Sequence, residues 1–199
     1  MTDVATVAQS LGVAFAAGIN LPATVAVLGI ADRAGWIGPL PGALEGVSSV
    51  WIIGIAAALY AMEFVVTLVP GVASVWETAQ SVIRPPAAAL LAVATTYHMS
   101  PPVLIGAGLV GGGLALTTHG AKLGLRYAVD ASPEPFTNGI VNIAELTTIS
   151  TIAMFIWAHP FITLSTAILL LILLILLVRR IIKTLRSLLS GSWRTGVTT

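Results

Sequence analysis

The chain has 199 residues, 57% of them hydrophobic and only 9% charged, against about 25% charged in a typical soluble domain. At a mean hydropathy of +0.99 there is too little polar surface to cover a core in water. An ordinary soluble globule is excluded, and an all-α integral membrane protein is expected. The net charge of +1 carries no nucleic-acid signal, and the lack of cysteine excludes disulfides, thiol catalysis and thiolate metal sites.

A membrane span needs about 20 apolar residues. Six segments qualify as candidates, at about 8–30, 47–69, 85–99, 102–120, 139–158 and 160–178. The start "MTDVATVAQS" lacks the positive region of a cleaved leader and is expected to lead into the first span. That span is interrupted by "GINLP": Pro22 has no N–H to bond the Gly18 carbonyl, and Asn20 adds a polar side chain. Backbone freed in a bilayer must be buried in protein or line a wet cavity, so a broken helix with Asn20 at a binding site is expected.

In the second span, Tyr60, Glu63 and Thr67 share one face of a greasy helix. A glutamate at that depth costs about 3 kcal/mol on insertion scales and must be protonated or paired. Before the third span, Arg84 precedes a double proline. It is expected at the membrane surface, at the end of a cytoplasmic loop over 71–84. The fourth span is glycine-rich and runs into "THGAKLGLRYAVD". There His119, Lys122, Arg126 and Asp130 fall within roughly 80° of one another if the helix is unbroken. The turn "DASPEPFTN" follows, and in the fifth span Asn138, Asn142, Glu145 and Thr148 recur at helical spacing. The sixth span, "PFITLSTAILLLILLILLV", leads to Arg179, Arg180, Lys183, Arg186 and Arg194.

By the positive-inside rule both termini are cytoplasmic, since only Arg33 of the nine lysines and arginines falls in an outer loop. The expected organisation is one transmembrane domain over 1–186 and a cytoplasmic tail over 187–199, in the cell's inner (plasma) membrane. Three spans plus three suggest an inverted repeat, about 8–99 and 102–186, each half opening on a glycine-interrupted segment.

Glu63 and Glu145 are expected at similar depth, opposed by Lys122, Arg126 and Arg84, with His119 beside them. Together with Asn20, Asn138 and Asn142 they outline a polar, cytoplasm-facing pathway. The bland alternative is a set of structural ion pairs and positive-inside residues. No HExxH, GxSxG or aspartate pair is present, and His98, His119 and His159 are dispersed, so neither metal nor cofactor is expected.

The ordered set Glu63, Pro70, "RP" at 84–85, "H..K...R" at 119–126 and "SPEPFTN…E" ending at Glu145 resembles a family of small, mainly bacterial membrane proteins. That family is catalogued as domain of unknown function four-one-two-six. The resemblance covers about 10–160. Such proteins tend to carry an acid four residues after the first glutamate and another directly after the second, where this chain has Thr67 and Leu146. The resemblance implies that the marked residues act as a set and gives no substrate.

The expected function is a transporter or permease for a small anionic or phosphate-bearing solute, with Glu63 or Glu145 handling a coupling proton. Membrane lipid and a homo-oligomer are the expected partners. Two alternatives stand beside it. One is a non-catalytic scaffold subunit of a membrane complex. The other is an intramembrane enzyme using a Glu/His pair, which requires His119 within about 3.2 Å of a carboxylate or substrate proton.

Overall fold

The structure, a computed structural model, describes residues 2–69, 71–130 and 135–189. The chain is all-helical, and no strand occurs among the described residues. Helix α1 (Asp3–Ile19) starts at Thr2, whose hydroxyl accepts from the Ala5 N–H at 3.3 Å. It ends at Asn20, which stands in extended conformation and is also the N-cap of α2 (Leu21–Arg33). The expected break at "GINLP" is therefore present, with Pro22 in the first turn of α2, where its missing N–H costs nothing.

A 3-10 turn (Gly42–Ser48) links α2 to α3 (Val50–Val66). Asp32 ties this connection together, accepting from Ser48 Oγ at 2.5 Å and Leu40 N at 3.3 Å. Gly42 is required at its position. Its φ is +62°, and a Cβ there would lie 2.4 Å from the Ala94 carbonyl oxygen.

Helix α4 (Val72–Thr95) differs from expectation. The segment over 71–84 is its first half rather than a loop, and Pro85 and Pro86 lie inside the helix. Arg84 consequently sits in mid-helix and is fully buried within the protein. The α5 helix (Pro101–Asp130) is continuous through the charged stripe, followed by α6 (Pro135–Ala158) and α7 (Pro160–Leu189). The break between α1 and α2 thus has no counterpart at 118–127. Residues 131–134 of the expected turn and 190–199 of the expected tail lie outside the described residues.

Two helical stretches are long and apolar enough to cross a membrane, Pro101–Val129 and Phe136–Ala158. The Gly42–Ser48 turn and α3, bent by 73°, make a third if counted as one span. On these criteria two or three helices meet the expectation of six. Only 22% and 28% of the first two apolar windows is buried inside the protein, so most of that surface is left for lipid.

The centre is built on small residues. Ala14 and Ala17 of α1, Ala88 and Ala92 of α4, and Ala107 and Ala115 of α5 form one buried seam where these three helices pack. Close approach is how membrane helices gain packing energy without a hydrophobic drive. Gly18 marks the tightest point. A Cβ there would come within 2.6 Å of the Ala115 carbonyl oxygen and closer still to Thr118 Oγ1. Gly18→Leu is expected to cost about 1–3 kcal/mol through overpacking, measured as a lower unfolding midpoint in detergent. An unchanged midpoint would contradict this packing.

Candidate functional site

The seam holds the break of the first segment against the middle of α4 and α5, and there the polar residues converge. Asn20 closes α1 and opens α2: its Oδ1 accepts from Ala23 N at 3.0 Å while its Nδ2 donates to Glu63 Oε1 at 2.6 Å. The broken ends carry opposite partial charges. The α1 end meets a cation, since Arg84 Nη1 donates to the Ile19 carbonyl at 3.0 Å. The α2 start meets an anion, Glu63, through Asn20.

Lys122 lies at the middle of the network. Its Nζ is 2.7 Å from Glu77 Oε1, 2.9 Å from Glu145 Oε2 and 3.2 Å from Glu63 Oε1. On one side, Arg84 bridges Glu63 Oε1 and Glu77 Oε2, each at 2.6 Å. On the other, Arg126 Nη2 binds Glu145 Oε1 at 2.8 Å. Arg126 also donates to Asn142 Oδ1, and to Asn138 Oδ1 at 3.3 Å. Asn142 continues to α3, donating to Thr67 Oγ1 at 3.0 Å and to the Phe64 carbonyl at 3.2 Å. Tyr60 donates to the Asn142 carbonyl at 3.3 Å.

The three glutamates and three cations are at most 8% exposed, with Arg84, Glu77 and Arg126 at 0%. Their formal charges cancel, three against three. This balance is what makes burial tolerable, because an unpaired charge in such surroundings is strongly destabilising.

His119 is fixed by its neighbours. Arg84 is only a donor, so Nδ1, 3.2 Å from Arg84 Nη1, accepts. The Glu77 carbonyl is only an acceptor, so Nε2 at 3.1 Å carries the hydrogen. Ser81 Oγ lies 2.8 Å from the same nitrogen. This assignment makes His119 the neutral Nε2–H tautomer. Glu77 Oε2 stands 3.9 Å from Nδ1, beyond hydrogen-bonding reach.

All nine residues marked in the sequence, Asn20, Glu63, Arg84, His119, Lys122, Arg126, Asn138, Asn142 and Glu145, thus join one connected network. The expected opposition of Glu63 and Glu145 to Lys122, Arg126 and Arg84 is the pairing observed. Glu77 and Ser81 were missed. Their signal is the i, i+4, i+7 spacing of Glu77, Ser81 and Arg84 on one face of "WETAQSVIR". Reading that segment as a loop hid it. Asp130 ends α5, and its side chain lies outside the described residues.

One edge of the network is open. A cavity of about 350 Å³ is lined by Lys122 and Glu145 with Phe15, Ile19, Leu125 and Val141 among its walls. It lies among α1, α5 and α6. The arrangement joins a desolvated ion cluster to a mostly apolar chamber through one cation and one carboxylate. No His, Cys, Asp or Glu group suited to a metal ion occurs among the described residues.

No curated protein and no solved structure matches the chain. A family model does, over residues 7–180, which spans α1 to α6 and most of α7. On that match the chain belongs to the family described as Domain of unknown function (DUF4126).

Proposed function

We propose that this is a proton-coupled membrane transporter for a small anionic solute, with the Lys122-centred cluster as its pathway. In this reading the chain makes six transits, the first broken into α1 and α2, with both termini on the cytoplasmic side of the plasma membrane. The observation that carries it is a neutral three-to-three cluster whose Lys122 and Glu145 form part of the wall of a 350 Å³ cavity. A charged solute enters a desolvated neutral cluster only with a compensating charge. A proton on Glu145 supplies one: it loosens Glu145 from Lys122 and Arg126, and Lys122 on the cavity wall becomes the anion site, with Arg126 behind it. Anion and proton then move together.

The test uses proteoliposomes holding a pH-sensitive dye, offered inorganic phosphate, glycerol phosphate and short carboxylates in turn. At least one of these is expected to carry protons inward with the wild type, and Glu145→Gln is expected to abolish that movement. Equal rates for Glu145→Gln and wild type would sink the proposal.

The pairing of all six charges favours a second reading, a scaffold subunit whose ion pairs only lock helices together. Glu145→Gln would then leave partner assembly unchanged, and no anion would move. An enzyme using His119 is less well supported, since both ring nitrogens are already engaged.

A further inference from the structure

The chamber beside Lys122 is built for more than a charge. Its walls include Phe15, Ile19, Ala121, Leu125, Val141 and Ala144, and Lys122 is the one cation among its lining residues. The Thr118 hydroxyl is already used, donating to the Phe15 and Ala115 carbonyls at 3.1 Å. A wholly hydrophilic anion would shed its water here with few donors to replace it.

We infer that the anion this site takes is amphiphilic, with a single hydrocarbon tail. Its charged head meets Lys122, its tail lies along the chamber, and Phe15 sets the tail length. The inference rests on the transport reading and names its substrate class. The head replaces Glu145 as the partner of Lys122 when Glu145 takes its proton, so the charge count of that reading is kept.

Two further observations carry it. The apolar space continues past the chamber. A second cavity of about 100 Å³ lies among α1, α6 and α7, with Leu11, Ile152 and Ile156 among its walls, and Phe15 lines both cavities. Glu145, Thr148, Ile152 and Ile156 follow one face of α6. The two cavities thus extend roughly 16 Å along that helix from the charged end. The mouth also lies to the side. Ala121 and Leu125 of α5 and Ala144 and Thr148 of α6 line the chamber and are exposed. These are the two helices long and apolar enough to cross a membrane, so in a bilayer the opening between them faces acyl chains. A tailed anion lying in the membrane reaches Lys122 by that route.

Proteoliposomes holding a pH-sensitive dye test this with methane-, butane-, octane- and dodecanesulfonate. A sulfonate has no protonated form to cross the lipid unaided, so internal acidification reports coupled entry. At low concentration octanesulfonate is expected to outpace methanesulfonate by at least about tenfold, the effect of burying two methylene groups. Phe15→Ala joins the two cavities and is expected to move the preferred chain towards dodecanesulfonate. Phe15→Leu, a milder change, moves it the same way. Partition into the bilayer is common to all variants and cancels in this comparison. Equal rates across the series, or a chain preference unchanged in both variants, would overturn the inference and leave the transport reading standing.

A second measurement needs no flux. With the full chain in lipid nanodiscs, octanesulfonate at saturation is expected to raise the unfolding midpoint by about 5 °C, while octanol and methanesulfonate leave it unchanged. No shift, or an equal shift with octanol, would overturn the inference. A shift specific to octanesulfonate without proton movement would keep the amphiphile site and remove the transport reading.

Discussion

Arg84→Met is expected to lower stability by about 3–5 kcal/mol, the usual cost of removing one partner from a buried ion pair. Arg84 holds Glu63 and Glu77 at 2.6 Å each and caps the Ile19 carbonyl at 3.0 Å, all at 0% exposure of its own side chain. Without it two carboxylates on α3 and α4 share Lys122 alone, and the α1 end loses its cation. An unfolding titration in mixed micelles measures the loss. Arg84→Met/Glu77→Gln restores the charge balance and is expected to recover part of it. A single variant within about 1 kcal/mol of wild type would mean that these groups are solvated rather than buried, since exposed pairs contribute at that level.

That cost is not evidence that the cluster exists for stability. Replacing a whole buried ion network by well-packed apolar side chains is often neutral or stabilising. Each charge also opposes insertion by about 2.5–3.5 kcal/mol at a helix centre. A chain that needed only rigid helices would have a less costly solution in its own alanine seam. Retaining six ionisable groups on α3, α4, α5 and α6, with two of them on a cavity wall, fits a path for charge better than a bolt.

Much of this site was legible because scarcity made it so. With 9% charged residues, Glu63, Lys122, Arg126 and Glu145 stand out within apolar runs, and helical period places His119, Lys122 and Arg126 of the α5 stripe on one face. The "GINLP" break was equally plain, since proline and asparagine act locally. Glu77 was hidden for the opposite reason. "SVWETAQSVIRPP" is polar enough to pass for a loop, and a double proline is a usual start signal for a helix. Tertiary pairing overrides that signal: Glu77, Ser81 and Arg84 all find partners, and the helix runs through the prolines. Span counting suffers from the same mixture. The α4 helix is 24 residues long, yet its first half is too polar to score as apolar, because its polar face meets α3 and α5 rather than lipid.

Asn20→Asp, a change of one atom, is expected to be more damaging than Asn20→Ala. Asn20 makes two bonds of opposite sense, accepting from Ala23 N to cap α2 and donating to Glu63 Oε1 at 2.6 Å. Alanine loses both, at about 0.5–2 kcal/mol for the cap and about 1.5–3 kcal/mol for the bond to a charged group. Aspartate keeps the cap but sets a second carboxylate against Glu63, where Asn20 is 1% exposed and the cluster already balances three against three. The added charge has no partner, so its cost is expected to exceed the alanine cost and to depend on pH. One proton shared between the two carboxylates relieves the repulsion and rebuilds a hydrogen bond. The deficit of Asn20→Asp should therefore shrink as pH falls from 8 to about 5, while that of Asn20→Ala stays constant. Parallel pH profiles for the two variants would show that Asn20 and Glu63 do not meet, and the half-helix ends would then lack the charge compensation that places the break inside the cluster.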